Sequence, residues 1–272
     1  MNITLLVDFD EFWSRLRADI AAAQEALMIQ TFAFEGDRIG SDLAAALLAA
    51  TAPSKRVLID SFSRVVLSDR FRYSPANLFD ADLRAEAKQT AAMLTRLAEN
   101  GAQIQYTNPY GPTPRQLLSR NHKKLIVIDD RVAYVGGINF SEHNASWHDM
   151  MLRIEDPAAV AFLREDFDST WSGQDQIAHR QFDEVELLAS DGKNNPLVFQ
   201  PIIDLIDQAR DSIFVESPYV TFPFYEKLRN ACRRGVSVTI VTPAKNNWRL
   251  FANYARLSRP DLLSICVCTR MA

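Results

Sequence analysis

"NHKKLIVIDDRVAYVGGINFSEHN", residues 121 to 144, decides how this chain is read. A histidine and two lysines precede an apolar run. Two acids follow, then a second apolar run, two glycines and an asparagine. Side chains alternate along an extended chain, so His122 and Lys124 point one way and Lys123 the other. Imidazole can be a neutral nucleophile or an acid near pH 7. A lysine ammonium beside it brings positive charge and three donors, which suits a phosphate oxygen. Asn139 adds a neutral donor. Gly136 and Gly137 let the backbone come close to a ligand or turn tightly. The set fits a phosphodiester: one nucleophile, and donors aimed at the charge that grows on the non-bridging oxygens.

Around this stretch, helices and strands alternate. Phe12, Leu16, Ile20 and Ala23 fall at helical spacing within residues 11–26. "LMIQTFAF" (27–34) reads as a strand, and "GSDLAAALLAATA" as a helix with a serine cap, ended by Pro53. "KRVLIDSF" is a second strand, residues 75–100 a helix stopped at Asn100-Gly101, and "AQIQYTN" a third strand. "KKLIVIDD" and "VAYVGG" form a hairpin. "WHDMMLRIED" is a further strand, and "PAAVAFLREDFDSTW" a helix with proline in its first turn. The expected class is α/β, a mixed sheet flanked by helices.

The pattern then begins again. Residues 172–196 read as a polar, irregular connection, after which "PLVFQPIIDLIDQARDSIFVESPYV" matches "AAAQEALMIQTFA" near the start. Leu27 aligns with Ile213, Ile29 with Val215, Gln30 with Glu216 and Ile104 with Ile265. An internal repeat of this length means two pseudo-symmetric lobes. The expected division is 1–175 for the first lobe, 176–195 for the connection and 196–272 for the start of the second.

The bulk numbers set limits. Of 272 residues, 47% are hydrophobic and 24% charged, and the formal net charge of -4 argues against a general nucleic-acid binder. Cys232, Cys266 and Cys268 do not suggest a disulfide framework, and the last two, in "SICVC", read as one face of a strand. "MNITLLVDFDEFW" lacks a basic segment followed by an apolar one, so no secretory signal is expected. No window is apolar for the ~20 residues a bilayer span needs, so the chain reads as soluble or lying on a membrane surface. No Cys, His or carboxylate cluster has ligand spacing, and chemistry without metal or cofactor is expected.

The spacing His122-x-Lys124-x4-Asp129-x6-Gly136-x2-Asn139 resembles, at every position, the signature of the phospholipase D superfamily. "WHDMMLRIEDPAAVAFLREDFDSTW" is similar to the segment after the first signature in bacterial cardiolipin synthases, and "ESPYVTFPFYEKLRNACRRGVSVTIVTP" to the start of their second lobe. The resemblance implies that His122 attacks phosphorus and forms a phosphohistidine, while Lys124 and Asn139 hold the oxygens. It implies a structural role for Asp129 and an orienting carboxylate at Asp149, with Gly136, Gly137 and Ser217 near the substrate. His143 and His148 lie outside the pattern and read as bystanders.

That family uses two signatures, the second histidine serving as general acid and base. Only one is present here. Ile104 precedes His122 as Ile265 would precede the second histidine, and the same separation runs past Ala272. The expectation is a chain that ends before its second motif. The missing half would come from the remainder of a longer chain or from a homodimer partner. An unfinished sheet is also expected to lower solubility. The expected activity is phosphatidyl transfer on a phospholipid such as phosphatidylglycerol, at the cytoplasmic face of the inner membrane. The mixed basic and apolar stretch "RVVLSDRFRYSPANLF" (64–79) is a candidate for peripheral contact. A phosphodiesterase acting on nucleic acid, or a catalytically incomplete fragment, is the alternative.

Overall fold

A computed structural model of the chain describes residues 2–111, 119–174, 178–183, 185–190, 192, 195–243 and 264–268. Its packing separates Met1–Asn195 from Pro196–Ala272. The first unit runs β1 (Ile3–Val7), α1 (Asp8–Ala21), β2 (Ala26–Thr31), α2 (Arg38–Ala49) and β3 (Ser54–Asp60). A 3-10 turn (Ser61–Arg64), β4 (Val66–Leu67), β5 (Arg70–Phe71), α3 (Ala81–Glu99) and β6 (Gln103–Thr107) follow. Then come β7 (Leu125–Ile128), β8 (Val132–Gly136), α4 (Glu142–Ala145), β9 (Met150–Ile154) and α5 (Pro157–Trp171). The hairpin β10 (Ala178–Phe182) and β11 (Val185–Ala189) completes the unit.

Seven strands form one sheet in the order β1-β9-β8-β7-β2-β3-β6. The pairs β2–β3 and β3–β6 are parallel and the others antiparallel, so the sheet is mixed. Strand alternation divides the core into two layers. Leu27, Ile29, Val57, Ile59 and Ile126 pack with Phe12, Leu16 and Leu43 of α1 and α2. Met28, Leu58 and Val127 face the other way, onto Val160, Leu163 and Phe167 of α5. Each such fully buried side chain contributes about 1.5–3 kcal/mol, enough to fix the strand faces. Among the described residues, no helix is long and apolar enough to cross a membrane.

Several boundaries differ from the sequence reading. The N-terminal strand β1 was not expected; it pairs antiparallel with β9, Leu5 opposite Leu152. The cap of α2 is Asp37, whose carboxylate accepts from the Gly40 amide at 3.0 Å, and the serine expected there, Ser41, lies inside the helix. The third helix begins only at Ala81, because Asp80 caps it by accepting from Leu83 N at 2.9 Å. The stretch read as an irregular connection contains β10 and β11, fastened to α5 by Phe182 on Phe162 with ring centroids 5.8 Å apart. The strand expected over "KKLIVIDD" starts at Leu125, which leaves His122, Lys123 and Lys124 on the extended chain entering β7.

The second unit holds α6 (Asn195–Gln208), β12 (Ser212–Glu216), α7 (Phe224–Arg233), β13 (Ser237–Pro243) and β14 (Ser264–Cys268). Its three strands are parallel in the order β12-β13-β14. Ile29 pairs with Val57 and Val57 with Ile104 in the first unit. Val215 pairs with Ile240 and Ile240 with Ile265 in the second. The two parallel ladders therefore correspond rung for rung at the residues the repeat aligned. The helix expected from "NWRLFANYARLSRPDLL" and the side chains of Cys266 and Cys268 lie outside the described residues.

Asp129 occupies the β7–β8 turn with φ of 51°, a conformation aspartate tolerates better than most residues. Its carboxylate accepts from the amides of Gln24 (2.7 Å), Glu25 (2.9 Å) and Ala26 (2.8 Å), which ties the turn to the start of β2. Burial works against its charge, but these three amides outweigh it and hold the carboxyl below its ordinary range. Asp129→Ala is expected to cost about 2 kcal/mol in denaturant unfolding, from amides left unpaired at a strand end. Because the folded pKa is depressed, Asp129's contribution is complete above the unfolded carboxylate pKa of about 3.9 and fades as pH falls below it.

Candidate active site

The carboxyl ends of parallel strands are where ligands settle in open α/β sheets. In the first unit the antiparallel strands bring their own ends to the same place. Gln30 at the end of β2 pairs with Leu125 at the start of β7, and Leu125 pairs with Val135 near the end of β8. The residues entering β7, those leaving β8 and those entering β9 therefore converge beyond β2 and β3.

Alternation holds through the chain entering β7. Lys123 turns toward α5, where its ammonium donates to Asp166 Oδ2 at 2.7 Å and to Thr170 Oγ1 at 3.1 Å. His122 and Lys124 turn together to the opposite side. Lys124 Nζ lies 2.8 Å from His122 Nδ1 and 3.3 Å from Nε2, and donates to the His122 carbonyl at 3.0 Å. Phe32, just past β2, floors both: its ring centroid is 4.5 Å from that of His122 and 5.4 Å from Lys124 Nζ.

Two environments result. Lys124 is only 4% exposed. Burial pushes its pKa down to about 7, while the nearby carboxylates of Asp149 and Asp60 pull it back up. His122 keeps an edge open to solvent. The protein crowded around it, and secondarily the Lys124 charge, hold its pKa well below the usual imidazole range. Solvent at the ring tempers that depression. Its direction is what matters: the imidazole is neutral at pH 7, with the lone pair of one ring nitrogen at hand.

Asp60 was not singled out from the sequence. It ends β3 with a side chain that is fully buried. Its carboxylate accepts from the Asn121 amide at 2.7 Å, the Phe62 amide at 2.8 Å and Arg120 Nη1 at 3.2 Å. Burial raises its pKa, and the two amides and Arg120 oppose that rise. Gln30 Nε2 donates to Asn121 Oδ1 at 2.9 Å, which clamps the residue before His122 from a second strand. The available sequence signal was an acid terminating the apolar run "VLID".

The other expected residues divide. Asn139 is 8% exposed, and its Oδ1 accepts from Ala33 N at 3.2 Å, so its Nδ2 donor is what a ligand could use. Gly136 and Gly137, expected near substrate, give their space to protein instead. A Cβ on Gly136 would lie 2.2 Å from the Met150 carbonyl, and one on Gly137 2.1 Å from Asp149 Oδ1. Asp149 does not hydrogen-bond the His122 ring. Its carboxylate accepts from the Met150 amide at 2.8 Å and acts on Lys124 through its field. Burial raises its own pKa, opposed by the Met150 amide and Lys124. Ser217 belongs to the second unit, where its Oγ accepts from Tyr219 N at 3.1 Å.

His143 and His148, near the motif but outside its pattern, are engaged. His143 lies between Glu35 and Asp69, at 3.5 Å from each. Burial opposes its charge, but Asp69 and Glu35 prevail and lift its pKa to about 10. His148 Nδ1 sits 2.7 Å from Asp8 Oδ1.

The Lys124 amine sets a pH dependence of stability. Its folded pKa, about 7, lies below its ordinary 10.5, so the unfolded chain holds one more proton between these values. Stability should therefore rise across that interval, by about 1.4 kcal/mol per pH unit from this group. Lys124→Met, which buries no charge, should abolish that rise when unfolding is followed by chemical denaturation at several pH values.

Comparison with known proteins gives these features a setting. Residues 16–171 match a family model described as "Cardiolipin synthase, PLD-like domain". Cardiolipin synthase B of Salmonella typhi is 28% identical over 94% of this chain and 63% of its own length. The major cardiolipin synthase of Bacillus subtilis is 24% identical over 94% of this chain and 54% of its own. The chain thus spans less than two thirds of each relative. Among solved structures, the phosphatidylserine synthase of Haemophilus influenzae aligns with a TM-score of 0.62 at 12% identity, covering 97% of this chain and 74% of that one. At so low an identity it shows a shared fold. Since the family model takes in more than half of the chain, this protein belongs to the phospholipase D-like domain family of the cardiolipin synthases.

Proposed function

We propose that this chain carries the nucleophilic half of a phosphatidyltransferase of the cardiolipin synthase type. The observation that supports it most directly is a neutral, solvent-touched His122 with the buried Lys124 amine 2.8 Å from its ring. A phosphodiester anion brought to Lys124 would raise its pKa and restore the ammonium. The charge would then be completed where there is phosphate to neutralise.

A ring nitrogen of His122 gives its lone pair to the phosphorus of a phospholipid such as phosphatidylglycerol. The bond from phosphorus to the leaving oxygen breaks, and that oxygen takes a proton from a general acid. Lys124 and the Asn139 amide hold the non-bridging oxygens, whose charge grows in the transition state. A glycerol hydroxyl then loses its proton to the same acid–base group and attacks phosphorus. The nitrogen–phosphorus bond breaks and His122 is neutral again. Asp149 and Asp60 tune Lys124, and Asp129 holds the motif turn. The general acid would come from a second copy of the motif, in a homodimer or in sequence continuous with this chain. The reaction would run at the cytoplasmic face of the inner membrane. Action on nucleic acid is the less favoured reading, given the net charge of -4.

The test is a covalent one. The full chain, mixed with phosphorus-32 phosphatidylglycerol and quenched in base, should carry an acid-labile, base-stable label. His122→Ala should carry none, and Lys124→Met should form it about 100-fold more slowly, the scale for losing one oxyanion donor. Label persisting in His122→Ala would remove His122 as the nucleophile.

A further inference from the structure

The segment between β3 and α3 turns its polar groups inward and its rings outward. Leu67 anchors it at 1% exposure. In the β4–β5 turn, Ser68 donates from N to Glu35 Oε1 at 3.1 Å and from Oγ to Glu86 Oε1 at 2.8 Å. Asp69 meets His143, and Arg70 donates to Asp80 at 2.7 Å. Beyond β5 the chain folds back on itself, the Phe71 carbonyl accepting from Ser74 N at 3.2 Å and from Asn77 Nδ2 at 3.0 Å. That knot leaves Phe71 49%, Tyr73 56%, Leu78 46% and Phe79 78% exposed.

A loop washed only by water would present the opposite arrangement. Single exposed apolar residues need no explanation, but four large ones on one short, internally bonded loop do. The charges beside them have one sign in excess. Residues 64–84 hold four arginines, Arg64, Arg70, Arg72 and Arg84, against three acids, Asp69, Asp80 and Asp82. Arg64, Arg84 and Asp82 are exposed, whereas Asp69 and Asp80 are engaged with His143 and Arg70. The loop also adjoins the nucleophile. Phe62, in the 3-10 turn that opens the segment, stacks on Phe32 at 5.4 Å, and Phe32 packs on His122 at 4.5 Å.

We infer that residues 64–84 dock on an anionic lipid bilayer. Phe71, Tyr73, Leu78 and Phe79 enter the interface, and Arg64 and Arg84 stay at the level of the lipid phosphates. Aromatic rings with guanidinium neighbours suit that boundary, where one end of a side chain is apolar and the other wet. The inference rests on the lipid reading above, and it names the face by which substrate would reach His122.

Co-sedimentation of the full chain with vesicles tests it. Mixed phosphatidylglycerol–phosphatidylcholine vesicles should bind the chain at least 10-fold better than phosphatidylcholine alone. Phe71→Ser combined with Phe79→Ser should lower that binding 10-fold or more with an unchanged circular dichroism spectrum and melting temperature. Arg64→Gln combined with Arg84→Gln should erase the preference for the anionic vesicles. Equal binding by the serine variant would overturn the inference, as would a chain that ignores both vesicles. So would rings whose replacement dissolves a dimer in sedimentation velocity and leaves vesicle binding intact, since the patch would then cover a second copy. If the serine variant loses vesicle binding while the unaltered chain never acquires label, docking stands and the transfer chemistry falls.

Discussion

The Lys124 amine, buried beneath the His122 ring and against Phe32, constrains the rest of the first unit. An ammonium removed from water costs several kcal/mol unless charges and acceptors surround it. Here the surroundings are arranged to be partly sufficient. Asp149 and Asp60 supply negative field, and the His122 carbonyl accepts one hydrogen bond. The remaining deficit shows as a pKa near 7. A bound phosphate would cancel it. The site therefore carries a local electrostatic cost of the kind that clusters at functional positions.

The sheet explains how so many polar groups can be buried together. Along its middle the strands are apolar on both faces, as sheets covered on both sides must be. At one end the buried residues change character. Gln30, Thr31, Asp60, Asn121, Lys124 and Asn139 are each at most 8% exposed. Their hydrogen bonds run across strands: Gln30 to Asn121, Asp60 to the Asn121 amide, Asn139 to Ala33. Such a network holds side chains to one geometry because an unmade bond there costs more than a made one returns. The glycines serve the same end. Gly136 and Gly137 lack side chains because β9 and the Asp149 carboxylate come too close to admit them.

The charges of the motif are kept apart by strand alternation alone. Lys123 and Lys124 are neighbours in sequence, yet one neutralises Asp166 on α5 and the other faces the imidazole. Without that division two ammonium groups would crowd the same side of the chain and repel each other. The second unit repeats the parallel ladder of the first with matching registers, so the same βαβ logic builds both. Parallel strands need a crossover connection between them, which is why α2 lies between β2 and β3, α3 between β3 and β6, and α7 between β12 and β13.

The spacing from His122 to Asn139 was enough to point to the family, because residue type and strand period are both local properties. For the same reason the α/β class, the repeat, the helix over Pro157–Trp171 and its proline were legible. What escaped was whatever depends on distant partners. β1 became a strand by pairing with β9, more than a hundred residues away in the chain. The residues 178–189 became a hairpin because Phe182 found Phe162. Asp60 joined the site through a bond to Asn121, and Asp149 turned from an expected histidine partner into a field acting on Lys124. Sequence alone determined the family and which side chains share one side of the chain entering β7. Tertiary structure decided which were buried, and burial sets the protonation of a lysine and a histidine that no local pattern encodes.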